Sequence, residues 1–213
     1  MKDNLAEALE TMKAHPIIFG TESVKAILEG RKTQTRRVIK PQPINADYWT
    51  FHQDTPFNGA FYPNTDNALP KLLKCPYGQV GDRLWVKETW VTNPIFPLTK
   101  LRGKEDLPYI IYKADKTQWN DYKWRSSLFM PRWASRITLE ITGLRVERLQ
   151  EITEEDCLAE GIPERGTIFM HPTARGIPLI HAYANLWDSL NAKRGYGWET
   201  NPWVWVIEFK ILQ

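Results

Sequence analysis

Cysteine is scarce in this chain, and long apolar runs are missing. Cys75 and Cys157 lie far apart without CxxC or Cys/His spacing, which excludes a disulfide framework and argues against structural zinc. The four histidines also lack metal-ligand spacing, so we predict no metal and no other cofactor. No run of about 18 apolar residues occurs, and charged residues interrupt the first dozen positions. We therefore expect a cytoplasmic protein without a membrane partner.

Neither sign of charge dominates the composition. The net charge is +3 and the pI is about 8.8, which fits a nucleic-acid or nucleotide partner only if the excess is concentrated on one face. A chain of 213 residues with 42% hydrophobic side chains is long enough to bury a core within one domain. No internal repeat or low-complexity tract appears. We expect a single domain.

Aromatic side chains, by contrast, are abundant, and ten of them are tryptophans. Such rings either fill a core or stack on bases, which contributes about 1 to 3 kcal/mol per base. Trp203 and Trp205 lie in strand-like sequence, which predicts core positions. Trp49, Trp119 and Trp124 lie in polar, loop-like sequence. The last two are our candidates for stacking on a base.

Periodicity predicts more strands than helices and favours an α+β chain built on a small barrel. Alternating patterns predict strands over 16–19, 83–90, 109–112, 137–146 and 203–211. Helical spacing of apolar residues predicts helices over 5–12, 23–29, 153–160 and 180–190. Proline-rich sequence over 41–76 predicts an irregular excursion without regular elements.

Capping residues mark two of these helices. Thr21 or Ser23 is the expected N-cap of the helix over 23–29, and Gly30 stands where a left-handed C-cap belongs. Thr153 is the expected N-cap of the helix over 153–160, and Gly161 is its expected C-cap. The first helix is therefore predicted to end just before Lys32, and the second to end at Glu160.

The densest chemistry lies in segment 30–37, GRKTQTRR, directly behind a predicted helix. Four cations within seven residues repel one another unless an anion lies between them, and a phosphate or a developing oxyanion is the simplest candidate. On charge density alone, a solvated basic turn is an equally good interpretation. The segment is nevertheless the best place in the sequence to look for function.

The pattern G-x-K-x-x-T-x-R, formed by Gly30, Lys32, Thr35 and Arg37, resembles the signature of the ASCH domain family, relatives of the RNA-binding PUA barrel. The resemblance is particularly close to ASCH proteins of bacteriophages and prophages. It implies a small PUA-like (ASCH) β-barrel with flanking helices and long loop insertions, as a single ASCH-like domain. Further similar segments are 77–86, 152–156 and 206–210, and the implied insertions lie at about 41–76, 93–129 and 163–178.

The resemblance also implies catalytic residues. Some ASCH proteins are amidohydrolases that remove the acetyl group of N4-acetylcytidine, and their Lys, Thr and Glu match Lys32, Thr35 and Glu160 here. In that case Thr35 attacks the acyl carbon, and Lys32 activates the Thr35 hydroxyl by taking its proton. Glu160 passes a proton to the leaving amine. Glu160 is predicted in the last turn of a helix, where an anion is disfavoured by about 0.3 to 1 kcal/mol. On residues alone, an exposed surface glutamate is the alternative.

Two functional classes stay open at this point. The first is a hydrolase acting on an acylated nucleobase or on RNA. The second is a non-catalytic module that binds RNA or a modified base, and a ribonuclease is a further alternative. The predicted partner is RNA or a modified nucleoside, and the sequence identifies no protein partner. The residues expected to contact it are Arg31, Arg36, Arg37, Trp119 and Trp124.

Overall fold

The structure is a computed structural model that describes residues 13–42, 49–52, 60–63, 73–92, 110–115, 122–163 and 178–212. The predicted helix over 5–12 and much of the three predicted insertions lie outside these residues. Three α-helices occur in the described chain: α1 (Thr21–Leu28), α2 (Glu154–Ala159) and α3 (Leu179–Asn191). The strands are β1 (Ala14–Ile18), β2 (Gln34–Val38), β3 (Trp49–His52), β4 (Ala60–Pro63), β5 (Leu73–Lys74), β6 (Arg83–Lys87), β7 (Trp90–Thr92), β8 (Ile110–Tyr112), β9 (Thr138–Arg148) and β10 (Trp203–Leu212).

A five-stranded mixed sheet organises the fold, in the order β1-β6-β9-β10-β2. β1 and β6 run parallel, and the other neighbours are antiparallel. β9 and β10, both predicted as strands from their alternation, form the longest pair of the sheet, and β6 lies between β1 and β9. β7 and β8 form a separate two-stranded sheet. The mixed α+β content is therefore confirmed.

β10 is buried on both of its faces, which places one apolar cluster on each side of the sheet. Alternate residues of a strand point to opposite faces, so consecutive apolar residues serve both clusters. One cluster joins β10 to α1 and the neighbouring strands through Val24, Ile27, Leu84, Ile141, Trp203, Trp205, Ile207 and Phe209. The other joins β10 to α2 and α3 through Cys157, Tyr183, Trp187, Val204 and Val206.

The expectation of an irregular excursion over 41–76 is wrong for part of that segment. β3, β4 and β5 form a three-stranded antiparallel sheet there. Proline is tolerated where it removes no ladder donor, and Pro63 is the last residue of β4, paired opposite Trp49 at the first residue of β3. The prolines at 43, 56 and 70 precede or separate the strands in the sequence. The number of prolines therefore overestimates how much regular strand structure is lost in this segment.

The cap prediction for α1 is half right. The helix begins at Thr21, and its N-cap is Gly20 without a side-chain cap, so neither Thr21 nor Ser23 caps it. Both residues fall inside the helix, where their backbone already has helical geometry. Gly30 does take the left-handed conformation predicted for it, with φ +73°.

In the described residues the strands β1 and β2 lie at the two edges of the main sheet. Its closure into a PUA-like barrel stays a prediction. Nowhere in the ranges given above is there a helix long and apolar enough to cross a membrane.

Candidate functional site

The basic segment is fixed by backbone hydrogen bonds to the ends of two helices. The Lys32 amide donates to the Ala26 carbonyl near the end of α1, at 3.0 Å. The next amide, that of Thr33, donates to the Ala159 carbonyl at the end of α2, at 2.8 Å. The segment then enters β2. Lys32 is thus held between two helix termini rather than displayed on a flexible turn.

α2 has the N-cap that its sequence predicts, and its C-cap lies one residue before the predicted Gly161. The Asp156 amide donates to the Thr153 hydroxyl at 3.1 Å, and the Asp156 carboxylate accepts from the Thr153 amide at 3.3 Å, which completes a capping box. Glu160 is the C-cap, and Gly161 follows with φ +87°. A Cβ on Gly161 would lie 3.0 Å from the Cβ of Lys32. Glycine at this position therefore allows the two segments to approach closely.

Lys32 and Glu160 form a buried ion pair. The Lys32 ammonium Nζ lies 2.6 Å from Glu160 Oε2 and donates also to the Glu160 carbonyl at 2.8 Å. Their side chains are 4% and 5% exposed, and the two residues form an isolated backbone bridge. The alternatives of a solvated turn for Lys32 and an exposed surface position for Glu160 are therefore wrong. The cation offsets the unfavourable potential at the C-terminal end of α2.

Arg36 holds the other oxygen of Glu160 and two further carboxylates. Its Nη1 lies 3.4 Å from Glu160 Oε1, and its Nη2 lies 2.8 Å from Asp156 Oδ2 and contacts Glu147. The Arg36 side chain is fully buried. The anions that separate these cations therefore come from the chain itself, whereas the sequence pointed to a phosphate or an oxyanion. Arg36 acts as an internal brace for Glu160.

Lys32 and Arg36 differ in how firmly they hold their protons. Burial lowers the pKa of Lys32 most, Glu160 opposes that change, and the positive charges of Arg37 and Arg36 lower it further, so the pKa falls below its ordinary value. Burial also acts to lower the pKa of Arg36, but Glu160, Tyr183 and the other carboxylates raise it overall. Arg36 is thus a fixed charge. Lys32 is an amine whose proton can move.

Thr35 completes the predicted trio. It lies in β2 opposite Ile207 of β10 and is 4% exposed. Within the described part of the chain its hydroxyl makes no hydrogen bond. The side chain lines the same cleft as Lys32 and Glu160. The three predicted side chains therefore line one cleft, and among the described residues the Thr35 hydroxyl has no hydrogen-bond partner.

The cleft has a volume of about 830 Å³, within the range of ligand pockets. Its charged lining among the described residues comprises Lys32, Arg36, Arg37, Lys40, Lys74, Lys87, Arg194 and one carboxylate, Glu160. Its aromatic lining comprises Phe19, Tyr77, Tyr183, Trp187 and Trp205. Rings beside cations suit a planar ligand that carries negative charge.

Arg37 and Arg31 occupy different environments. Arg37 lines the cleft, donates to the Ile18 carbonyl at 2.7 Å and lies over the ring of Phe19, 5.1 Å from its centroid. Arg31 does not line the cleft. It is paired with Glu29 and donates to the Gly161 carbonyl at 3.1 Å. A role for Arg31 in ligand binding stays a prediction.

Of the two tryptophans predicted to stack on a base, the structure describes one, Trp124. Trp124 is half-buried against Tyr122, with ring centroids 5.4 Å apart, and does not line the cleft. Trp119 lies outside the described residues. Tyr183 of α3 lines the cleft instead, with the Arg36 guanidinium 6.0 Å from its ring. Tyr183 could not be identified as a site residue from the sequence, because it lies in the apolar stripe of a predicted helix, a position that predicts packing.

Comparison with known proteins gives one distant likeness. No family model matches the chain, and no curated protein is similar to it. Among solved structures, the chain is similar to the crystal structure of an ASCH domain from Lactobacillus crispatus JV V101, with a TM-score of 0.39 and 13% identity. The likeness covers 99% of this chain and 92% of that one. It is too distant to show family membership.

Proposed function

We propose that this chain is an ASCH-like amidohydrolase that removes the acyl group from N4-acylated cytosine. The observation that carries the proposal is the buried Lys32 and Glu160 pair in one cleft with the Thr35 hydroxyl, which has no partner among the described residues. A threonine hydroxyl needs a base to become a nucleophile, and a buried amine of lowered pKa is such a base. The reaction would be hydrolysis of a C–N bond.

In the first half-reaction Lys32 acts as a neutral amine beside the Glu160 carboxylate, the form that the ion pair takes after losing one proton. Lys32 Nζ takes the proton of Thr35 as Thr35 Oγ1 bonds to the acyl carbon. The C–N bond then breaks, and the proton passes from Lys32 through Glu160 to the departing N4 amine. The pair is again a neutral amine and a carboxylate, the acyl group is an ester on Thr35, and the cytosine amine leaves.

In the second half-reaction water attacks the Thr35 ester. Its proton passes to the Glu160 carboxylate, the oxygen of water bonds to the acyl carbon, and the C–O bond to Thr35 breaks. Glu160 returns that proton through Lys32 to the Thr35 alkoxide, which restores the starting state and releases the carboxylic acid. Arg36 keeps Glu160 Oε1 occupied, so that Oε2 faces Lys32 throughout.

Release of acetate from N4-acetylcytidine tests the proposal directly. We expect turnover by the wild-type protein, loss of it in Thr35→Ala and partial recovery in Thr35→Ser, which keeps a hydroxyl. Thr33→Ala is the matched control, because Thr33 is an exposed threonine of the same segment that does not line the cleft. A folded wild-type protein that releases no acetate from any N4-acylated cytosine would rule the enzyme out.

The aromatic and cationic lining also supports a second candidate, a module that binds RNA or a modified base without breaking a bond. In that case Lys32 and Thr35 act only as hydrogen-bond donors. Salt-sensitive retention of RNA, unchanged in Thr35→Ala and without any turnover, would favour this candidate. A ribonuclease stays a prediction of the sequence.

A further inference from the structure

Positive charge is concentrated in the cleft beyond what the proposed chemistry requires. Seven cationic side chains and one carboxylate among the described residues line it, an excess of six positive charges. The whole chain carries a net charge of only +3. The remainder of the molecule is therefore net negative, and the cleft is the place where an anionic ligand is attracted.

Within the described residues, acidic side chains neutralise two of these cations. Lys32 is paired with Glu160, and Arg36 is held by three carboxylates. The other five form no ion pair with an acidic side chain of the described residues, and these are Arg37, Lys40, Lys74, Lys87 and Arg194. Deacylation at N4 of cytosine needs none of their charges at the reacting carbon. They are therefore available to bind another part of the ligand.

Lys40 and Arg194 line the cleft from two different segments, and Tyr196 lies near both, beside Lys40 in space and beside Arg194 in the sequence. Lys40 follows β2, and its Nζ lies 5.0 Å from the centre of the Tyr196 ring. Arg194 lies just beyond α3, two residues before Tyr196, and is exposed. Lys40 is five residues beyond Thr35, about 16 Å along extended chain. Lys40 thus lies well away from the predicted nucleophile.

We propose that Lys40 and Arg194 form a phosphate subsite, so that the ligand is a cytosine nucleotide, free or within an RNA strand. In such a nucleotide the phosphate lies on the ribose, at the opposite end from N4. The identity of the base rests on the proposed function, whereas the phosphate subsite rests only on the charges of the cleft. The cation-rich lining then selects phosphorylated ligands over neutral nucleosides.

Binding of unacylated ligands tests the subsite independently of hydrolysis. Titration calorimetry at low salt compares cytidine, cytidine 5′-monophosphate and a short cytosine-containing RNA. We expect the monophosphate to bind at least about tenfold more tightly than cytidine, as a charged hydrogen bond implies. Lys40→Ala/Arg194→Ala should bring that ratio close to one. Lys193→Ala is the control, since Lys193 is an exposed neighbour of Arg194 that does not line the cleft.

The outcomes separate this inference from the proposed function. A monophosphate preference lost in the double variant and kept in Lys193→Ala supports the subsite, even if no acetate is ever released. Equal binding of cytidine and its monophosphate overturns the subsite, even if acetylcytidine is hydrolysed. A preference that survives in a double variant with an unchanged melting temperature also overturns it. Tighter binding of RNA than of the monophosphate identifies a polynucleotide as the source of the phosphate.

Discussion

Two buried glutamates in this molecule are each paired with a cation, and the comparison between them separates structure from chemistry. Glu88 is 1% exposed, and both of its oxygens accept from Arg136, at 3.0 and 3.1 Å. Asp115 accepts from the two terminal nitrogens of Arg136, at 2.7 and 2.8 Å. One cation therefore holds two carboxylates, of which Asp115 is exposed to solvent, and none of the three residues lines the cleft.

Glu160 is buried to a similar degree but divides its oxygens between two different cations. Oε1 faces Arg36 and Oε2 faces Lys32. Arginine keeps its proton under all ordinary conditions, while a buried lysine does not. Burial raises the pKa of Glu88 although Arg136 opposes it. The difference that matters for function is therefore the lysine and the open cleft, not the buried acid.

The largest expected contrast is in turnover. Lys32→Met should lower the rate of acetate release by at least about a thousandfold, because it removes the base that activates Thr35. Arg136→Met should keep the rate per folded molecule within about threefold. Single-turnover assays on both variants, with the folded fraction taken from circular dichroism, measure the contrast. Equal loss in the two variants would show that both pairs serve only the fold.

For the free energy of unfolding, we expect the opposite order, with the larger loss in Arg136→Met. Arg136→Met leaves Glu88 buried without a cation and should lower the free energy of unfolding by about 3 kcal/mol. Lys32→Met leaves Glu160 with Arg36 and should cost about 1 kcal/mol. Urea unfolding of both variants gives the two values. A larger loss in Lys32→Met than in Arg136→Met would contradict the bracing role assigned to Arg36.

The pH profile sharpens the distinction between lysine and arginine. The base must be neutral, and below its pKa the neutral fraction of Lys32 rises about tenfold per pH unit. Turnover should therefore rise with pH and level off at a pKa below the ordinary value for lysine. Residual turnover of Lys32→Arg should lack this rise. A profile that is flat in the wild-type protein from neutral to alkaline pH would exclude Lys32 as the base.

The smallest expected effect concerns the support of Glu160. α2 has only six residues, so its capping box contributes noticeably to its stability. Thr153→Ala should lower the free energy of unfolding by about 1 kcal/mol, and Thr153→Ser should restore most of it. Thermal unfolding of the three proteins measures this. No change in Thr153→Ala would mean that packing against α3 alone holds α2 in place.

Local signals explain what the sequence could predict here. Thr153 and Gly161 define α2 because caps depend on neighbouring residues, and Gly30 ends its turn for the same reason. The grouping of Lys32 and Thr35 also follows from a short motif. Joining Glu160 to them required a resemblance to other proteins, since no local rule connects residues so far apart.

The role of Arg36 could not be predicted, because its partners are distant in sequence. Glu147 and Asp156 lie 111 and 120 residues away. The register of β2, β10 and β9 brings Glu147 to Arg36, and the packing of α2 beside the sheet brings Asp156. Without these distant contacts, nothing in the sequence distinguishes Arg36 from the other cations of segment 30–37. The strands of segment 49–74 were missed for a related reason, since composition does not show where each proline falls on a ladder.

The backbone bridge between Lys32 and Glu160 spans 128 residues of chain, and this has a consequence during synthesis. A nascent chain that has left the ribosome only as far as β9 already contains the complete basic segment but still lacks Glu160. Thr35 gains its place against Ile207 only when the last strand docks. Enzymatic competence would then arise with the finished fold, and turnover would report whether that fold is complete.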